Sequence, residues 1–210
     1  RDFTPIVGVA SQPNMIFVNA SVPAKTLADL FKLAKTQKLA YASPGSGTTP
    51  HLTGENLFNV VARLSMTPIH FRGAGQAVVA VVSGEPPVGS MAISGPLPQG
   101  RAGKLRVLAG SSARRNAAIP DVPTFAEAGY PGIEDYTWIG LFAPTGTPAP
   151  VVQKLNESVN RAIKSPDFLE RLSASAFDPM GGSPQQFADY FKAEIAKWGK
   201  VVRDTGAKPD

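Results

Sequence analysis

The chain has 210 residues, of which 43% are hydrophobic and 18% charged, a balance typical of a globular protein with a substantial core. It contains no cysteine, which excludes disulfides, thiolate metal sites and cysteine nucleophiles. No run of about 18 apolar residues is present, so we predict no membrane-spanning segment. The opening Arg-Asp-Phe-Thr-Pro does not have the pattern of a signal peptide.

The net charge of +5 is concentrated in one half of the chain. Residues 1–105 carry 9 Lys and Arg against 4 Asp and Glu, whereas residues 106–210 carry 12 of each. This excess favours an anionic ligand by long-range attraction, although a solvated basic surface would explain it equally well. The basic residues are too dispersed for a nucleic-acid interface. Several are predicted to lie on the solvent-exposed face of one helix: Lys25, Lys32, Lys35 and Lys38.

Strand and helix patterns alternate through the first part of the chain. Strands are predicted at Ile6–Ala10 and Met15–Val18, with a break at Ser11–Asn14. Thr26 and Asp29 resemble a capping box at the start of a helix. Further strands are predicted at 39–42, 67–71, 88–93 and 105–109, and further helices at 50–63 and 73–82. The alternation predicts an α/β fold with a mainly parallel sheet.

The pattern changes in the last third of the chain. Glu134 and Asp135 form an acidic pair in a loop-rich stretch, and we predict that both lie on the surface. A strand at 137–143 precedes three helices, whose predicted caps are Thr147, Ser165 and Ser183. These helices carry apolar stripes that require a partner surface: Leu155, Val159 and Ile163 in the first, and Phe187, Phe191 and Ile195 in the last.

The segment from Ser43 to Thr49 is rich in glycine and hydroxyl groups, and it lies between a short apolar strand and a helix that contains Pro50 in its first turn. We predict Thr49 as the N-cap. The first backbone N–H groups of a helix lack internal partners, and the loop hydroxyls add further donors, so this segment predicts a carboxylate-binding loop. An ordinary strand-to-helix connection remains the alternative.

A second connection of the same kind follows the next strand. Phe71-Arg72-Gly-Ala-Gly places an aromatic ring, a cation and two glycines before a helix. Arg72 could pair with a carboxylate, and the glycines offer backbone N–H groups. Because both connections arise from one sheet, we expect them to converge on one anion, the alternative being a glycine-rich turn with a surface arginine.

Catalytic and metal sites are not marked by the sequence. No lysine follows the last glycine of the first loop, which excludes a P-loop, and Gly45-Ser46-Gly47 is not a nucleophile elbow. A hydrolase using Ser46 and His51 is an alternative, but no orienting acid is evident. His51 is better explained as a hydrogen-bonding helix-start residue, and His70 as a structural histidine. We predict no enzyme activity, no metal and no cofactor.

The chain resembles the Bug-type (TctC-like) periplasmic solute receptors of tripartite tricarboxylate transporters. The resemblance begins with Tyr41-Ala-Ser-Pro-Gly-Ser-Gly-Thr-Thr-Pro-His-Leu52 and continues at Phe71-Arg-Gly73. It extends through Gly103-Lys-Leu-Arg-Val-Leu-Ala109, Ile119–Gly129, Trp138–Pro148 and Trp198-Gly-Lys-Val-Val202. Several separate motifs therefore agree, in order, along essentially the whole chain.

This resemblance implies a type II periplasmic-binding-protein-like fold with two lobes, which captures small carboxylates in the periplasm for membrane transporter subunits and needs no cofactor. The expected ligands are dicarboxylates, tricarboxylates or aromatic acids. Residues 1–18 would cross between lobes, 19–135 would form the second lobe, and 136–210 would return to the first. The motifs carry over the following binding residues: Ser43, Gly45, Ser46, Gly47, Thr48, Thr49, His51, Phe71, Arg72, Gly73 and Ala74.

Two departures from the family pattern modify these expectations. The family usually begins roughly 80 residues earlier, with a loop on the first lobe that faces the ligand, so the first lobe is expected to be incomplete here. The chain would then bind weakly and would self-associate or pair with a complementary N-terminal segment. In addition, residues 84–110 hold no Asp for an amino group, which disfavours an α-amino acid. A ligand-sensing effector domain, or a truncated receptor with little binding of its own, remain alternatives.

Overall fold

The structure is a computed structural model that describes residues 2–207. Its strands are β1 (Phe3–Asn19), β2 (Ala40–Ser43), β3 (Thr67–His70), β4 (Val88–Ala92), β5 (Leu105–Gly110), β6 (Tyr136–Pro144) and β7 (Asp178–Gly181). Its helices are α1 (Leu27–Thr36), α2 (Thr49–Glu55), α3 (Ala74–Ser83), α4 (Leu97–Arg101), α5 (Ala149–Ile163), α6 (Pro166–Ala174) and α7 (Pro184–Thr205). Residue 1 and residues 208–210, the outer ends of the predicted lobe segments, lie outside the described residues.

The chain divides into two compact units. The first unit holds the residues up to Gln12 together with Trp138–Gly199, and the second holds Pro13–Thr137 and the chain from Lys200 onward. Strand β1 therefore contributes its beginning to the first unit and its end to the second. The assignment of residues 1–18, 19–135 and 136–210 to receptor segments stays a prediction. Among residues 2–207, no helix is both long and apolar enough to cross a bilayer.

The sheet of the second unit has the strand order β3-β2-β4-β1-β5. Strand β2 runs parallel to both β3 and β4, but β1 is antiparallel to β4 and to β5. The α/β prediction is correct, whereas the expectation of a mainly parallel sheet is wrong. The alternation of strands and helices sets the direction of β2, β3 and β4, but it says nothing about β1, which precedes the first helix.

Strand β1 is continuous, so the predicted break at Ser11–Asn14 is wrong. Gln12 and Asn14 are buried, and Asn14 lies opposite Ala92 of β4 in the antiparallel ladder. The backbone N–H of Asn14 donates to the Ser111 hydroxyl, and the carbonyl of Pro13 accepts the N–H of Ile93. Because sheet pairing and side-chain partners satisfy these polar groups, turn-forming residues are accommodated inside a strand.

Apolar side chains cover both faces of this sheet. One cluster is built around Ile16, Leu30, Tyr41 and Phe58, and the other around Phe17, Val81 and Met91. Helix α1 begins with the predicted capping box, since Thr26 accepts from the Asp29 N–H and the Asp29 carboxylate accepts in return. After α2 the chain continues as a π-helical turn, Asn56–Val61, in place of the single regular helix predicted at 50–63.

In the first unit, β1 pairs with β6 and, antiparallel, with β7, a strand that the sequence did not indicate. An aromatic cluster joins β6 to α7 through Trp138, Phe142, Phe187, Tyr190 and Phe191. The predicted stripes are buried only in part. Ile163 and Phe187 are inside, while Leu155 is 38% exposed and Ile195 is 59% exposed.

The predicted helix starts have mixed outcomes. Ser183 and Gln186 form the predicted capping box at α7, and Gly84 closes α3 in the left-handed conformation. The predicted cap Thr147 is wrong, because Pro148 occupies the N-cap of α5. Ser165 is the N-cap of α6, but its side chain makes no capping hydrogen bond and donates instead to the Ala162 carbonyl.

Candidate functional site

The two connections that the sequence singled out lie side by side at one edge of the sheet. Strands β2 and β3 are parallel neighbours, and Ser43 lies opposite His70 at their carboxyl ends. Beyond the strands, the Phe71 N–H donates to the Ser43 carbonyl at 3.0 Å and the Gly73 N–H donates to the Pro44 carbonyl at 3.0 Å. Parallel strands end at a common edge of the sheet, which is why segments 25 residues and more apart in sequence meet here.

The first connection runs from Ser43 to Thr48. Gly45 and Gly47 have φ values of 147° and 72°, which favour glycine and let the chain turn sharply into α2. The N-cap is Thr48, so the predicted cap at Thr49 is wrong by one residue. The Thr48 hydroxyl donates to the Gly45 carbonyl at 2.8 Å and makes no capping bond. This hydrogen bond therefore lies within the loop and stabilises its turn.

Ser43 and His70 form a polar contact at the strand ends. The Ser43 hydroxyl is 2.7 Å from Nδ1 of His70, and Ser43 is fully buried. His70 therefore has a hydrogen-bonding partner, as expected of a structural histidine. Ser43 lies beneath the loop, whereas Ser46 is half-buried within it.

His51 fastens the loop to helix α2. Its Nδ1 accepts the Gly47 N–H at 3.1 Å, and its ring packs edge-on against His70 with centroids 4.4 Å apart. Nε2 is 4.0 Å from the buried Glu55 carboxylate. Because Nδ1 already accepts a hydrogen bond, the neutral ring carries its hydrogen on Nε2, the nitrogen that faces Glu55. This arrangement agrees with a role for His51 in holding the loop.

Glu55 continues this buried polar line into the core. Its Oε1 accepts the Tyr41 hydroxyl at 2.7 Å, and its Oε2 accepts the Asn59 amide at 3.0 Å. Burial raises the pKa of Tyr41 above its usual value, and the nearby Glu55 carboxylate adds to the shift. Tyr41 therefore stays a neutral donor that positions Glu55 beneath His51.

The second connection places Phe71, Arg72 and Gly73 before α3. Phe71 is half-buried, and Arg72 is exposed with no ion-pair partner among the described residues. Gly73 is the N-cap of α3 with φ 103°, and no side chain caps the helix. The first-turn N–H groups, which begin at Ala74, are exposed at the end of a helix dipole. A cation and a free helix start therefore lie next to the Ser43–Thr48 loop.

A buried polar network behind α2 was missed by the sequence analysis. Asp135 is only 3% exposed, so its prediction as a surface residue is wrong. Its Oδ1 accepts the Asn14 amide at 2.8 Å and the Thr53 hydroxyl at 2.9 Å. The Asp135 N–H and carbonyl both bond to Ser111, which fixes this loop residue inside the fold. An acidic pair in a polar stretch gives no signal of such burial.

The network reaches the Ser43–Thr48 loop and the start of α2 through two threonines. The Thr137 hydroxyl donates to Oδ1 of Asn14 at 2.8 Å and lies 2.7 Å from the Thr49 hydroxyl. The Thr53 hydroxyl contacts the Thr49 carbonyl at 2.8 Å. Helix α2 is thus tied at its start to the end of β1 and to the beginning of β6.

Among residues 2–207, no three His, Cys, Asp or Glu side chains group as metal ligands.

Known proteins are similar to this chain along nearly its whole length. The family model for the tripartite tricarboxylate transporter family receptor matches residues 1–207. A UPF0065 protein from the tcbD–tcbE intergenic region of Pseudomonas sp. (strain P51) is 37% identical over 205 residues, which is 96% of this chain and 61% of that protein. Protein BugT of Bordetella pertussis is 32% identical over 99% of this chain and 64% of its own length. The chain thus spans less than two thirds of these relatives.

Two solved structures of similar proteins carry carboxylates. Rpa4515 of R. palustris, solved with adipate, superposes with a TM-score of 0.92 at 32% identity, over 100% of this chain and 70% of that one. MatC (Rpa3494) of Rhodopseudomonas palustris, solved with malate, gives a TM-score of 0.87 at 32% identity, over 95% of this chain and 69% of that one. The fold is therefore that of a periplasmic-binding-protein type receptor.

Proposed function

This chain belongs to the tripartite tricarboxylate transporter receptor family, and on that basis we propose that it is the ligand-binding part of a periplasmic receptor for small organic carboxylates. The ligand would be a dicarboxylate, a tricarboxylate or an aromatic acid, delivered to membrane transporter subunits. The observation that carries the proposal is the pairing of the two glycine-rich connections, with Arg72 and the free start of α3 beside the Ser43–Thr48 loop.

The donors at this edge suit an anion. The guanidinium group of Arg72 can donate two parallel N–H bonds to a carboxylate. The first turn of α3 supplies backbone N–H groups at the positive end of the helix dipole. A charge-assisted hydrogen bond contributes about 1.5–3 kcal/mol before ordering costs. The proposed binding set is Ser43, Gly45, Ser46, Gly47, Thr48, Thr49, His51, Phe71, Arg72, Gly73 and Ala74, in which Ser43 and His51 support the loop from below.

We propose that the protein binds its ligand without transforming it. The Nδ1 atom of His51 accepts the Gly47 N–H, and Nε2 faces Glu55, so the ring's hydrogen bonds hold the loop and α2. A serine hydrolase would require a base that takes the proton of Ser46 and an acid that orients this base. Recovery of a bound carboxylate in altered form would contradict this part of the proposal.

Two further candidates rest on the same fold. A ligand-sensing effector domain would use the same loop device, and a truncated receptor would bind little by itself. Because the chain covers 61% and 64% of two relatives, we expect a longer polypeptide that contains it to bind more tightly. We also propose self-association or pairing with a complementary N-terminal segment, for which the exposed Leu155 and Ile195 in the first unit would be contact residues.

Titration calorimetry with adipate tests the proposal. Arg72→Gln and Ser46→Ala should each weaken binding several-fold, and the two together should weaken it further. Lys35→Gln is the matched charge control, since it removes one exposed cation from the last turn of α1, which precedes the amino end of β2. Equal affinities in the unmodified chain, the two single variants and the double variant would refute the site, and the absence of heat with adipate, malate and an aromatic acid would refute carboxylate binding by this chain.

A further inference from the structure

The hydrogen bonds behind α2 have a fixed direction that begins at Asp135. A carboxylate only accepts hydrogen bonds, so the atom of Asn14 that lies 2.8 Å from Oδ1 of Asp135 must be the amide nitrogen. The second hydrogen of this nitrogen goes to the Thr53 hydroxyl at 3.0 Å. The amide oxygen of Asn14 therefore faces Thr137 and can only accept.

The direction continues to the ligand loop. Thr137 has a single hydroxyl hydrogen, which it donates to Oδ1 of Asn14 at 2.8 Å. In the 2.7 Å contact between the hydroxyls of Thr137 and Thr49, Thr49 must therefore be the donor. Its hydrogen points into the protein, and only its oxygen lone pairs remain for a ligand. Thr49 is half-buried at the start of α2, so part of this residue is open to solvent.

The Thr48 hydroxyl can also only accept a hydrogen bond from a ligand, but for a different reason. Its hydroxyl hydrogen goes to the Gly45 carbonyl at 2.8 Å, within the loop itself. Two consecutive threonines therefore offer acceptors, contrary to the expectation that the loop hydroxyls are donors. An acceptor repels a carboxylate oxygen but binds a hydroxyl hydrogen.

We propose that Asp135, Asn14 and Thr137 are positioning residues that make Thr49 a specificity-determining acceptor, and that the receptor selects carboxylates bearing a hydroxyl group over plain dicarboxylates. The inference rests on the proposed function, because it assumes that a carboxylate occupies the site beside Arg72. It adds the ligand class: a hydroxy acid whose carboxylate binds the donors of the α3 start and whose hydroxyl donates to Thr49.

Malate and succinate provide the test, because they differ by one hydroxyl group. Calorimetry on the unmodified chain should give a malate affinity about three- to tenfold higher than that for succinate, the usual worth of one hydrogen bond. Thr137→Val frees the Thr49 hydrogen, which can then donate to a carboxylate, so the malate-to-succinate ratio should fall to one or below. Thr137→Ser keeps the hydroxyl and should restore the original ratio.

A purely structural role of Thr137 would weaken both acids equally and leave their ratio unchanged. An unchanged ratio in Thr137→Val, or equal affinities for both acids in the unmodified chain, overturns the inference while the receptor function stands. Should Thr137→Val fail to fold, Thr49→Val removes the acceptor at a half-buried position and must abolish the preference for malate. If the unmodified chain binds neither acid nor adipate, the proposed function fails and the inference fails with it.

Discussion

Two glycines at the start of α3 have opposite backbone requirements. Gly73 has φ 103° and ψ 167°, a conformation that residues with side chains rarely adopt. Gly75 lies inside the first helical turn, where φ is negative as in any helix. A Cβ added at either position would meet no atom within 4 Å. The difference between the two is therefore backbone strain, free of steric clash.

Gly73→Ala should lower the free energy of unfolding by about 1–3 kcal/mol, because alanine is strained at that φ and ψ. Gly75→Ala is the matched control and should raise it by about 0.4–1 kcal/mol, since alanine restricts the unfolded chain and suits a helix. Urea denaturation of both variants checks the pair. Equal effects at the two positions would show that the turn is not held in the observed conformation.

His51 links the Ser43–Thr48 loop to α2 through one acceptor atom. His51→Phe keeps an aromatic ring but removes the acceptor for the Gly47 N–H. We expect weaker adipate binding in calorimetry, because the loop loses the hydrogen bond that holds Gly47. His51→Asn, which retains a side-chain acceptor near the position of Nδ1, should lose less. Full binding by His51→Phe would contradict the assigned role.

The sequence predicted the structural position of some residues correctly and that of others incorrectly. The glycines and hydroxyls from Ser43 to Thr49 are typical of a strand-to-helix anion loop, and the structure does place them between a strand and a helix. The surface position predicted for Asp135 is wrong because its burial depends on Asn14 and Thr53, which are distant in sequence. The direction of the Thr49 hydroxyl likewise depends on Thr137, which no local pattern reveals.

At the scale of elements, the N-termini of α1 and α6 form a natural comparison. Thr26 caps α1 with its side chain, and its reciprocal partner Asp29 completes the box. Ser165 occupies the same position in α6, but its hydroxyl donates to the Ala162 carbonyl of the preceding helix and caps nothing. Local sequence signals identified both positions, but only the backbone geometry shows which side chain caps.

Thr26→Ala should lower the free energy of unfolding by about 1 kcal/mol, the usual cost of losing a side-chain cap. Ser165→Ala should cost less, because no helix-start N–H loses its partner. Chemical denaturation followed by circular dichroism gives both values. A larger loss for Ser165→Ala than for Thr26→Ala would contradict the capping assignment.

The strands show where local patterns stop being informative. Strand β1 was predicted as two pieces because Ser11–Asn14 has the composition of a turn, yet pairing with β4 and β7 keeps it extended. Strand β7 was missed because its residues, Asp178–Gly181, have no alternating pattern of their own. Both results arise from long-range pairing, which dominates in sheets whose neighbours are distant in sequence.

At the scale of the whole molecule, two carboxylates near the surface, Asp29 and Glu127, link stability to pH. Hydrogen bonds from Thr26 and from the Lys25 backbone lower the pKa of Asp29 from 3.8, and the Arg115 side chain lowers that of Glu127 from 4.5. A lowered folded-state pKa stabilises the fold above the unfolded value, and this stabilisation is lost as pH falls through the folded value.

The free energy of unfolding should therefore decline as the pH is lowered below about 5, through the ordinary carboxylate pKa values and towards the lower values of the folded state. The double variant Thr26→Ala with Arg115→Gln should start lower at neutral pH and decline less steeply, because the two carboxylates then titrate closer to their ordinary pKa values. Urea denaturation at several pH values measures the slopes. Identical slopes for the two proteins would show that these pairs do not contribute to the acid sensitivity.

We propose above all that a small carboxylate binds between the two connections at the end of the sheet. Backbone amide chemical shifts of the isotope-labelled chain, followed during a titration with adipate, test it most directly. We predict that the shifts cluster at residues 45–49 and 72–76. Shifts centred instead on the cleft of about 610 Å³ beside Asn160, Leu169 and Met180 in the first unit, or no shifts at millimolar adipate, would contradict the claim.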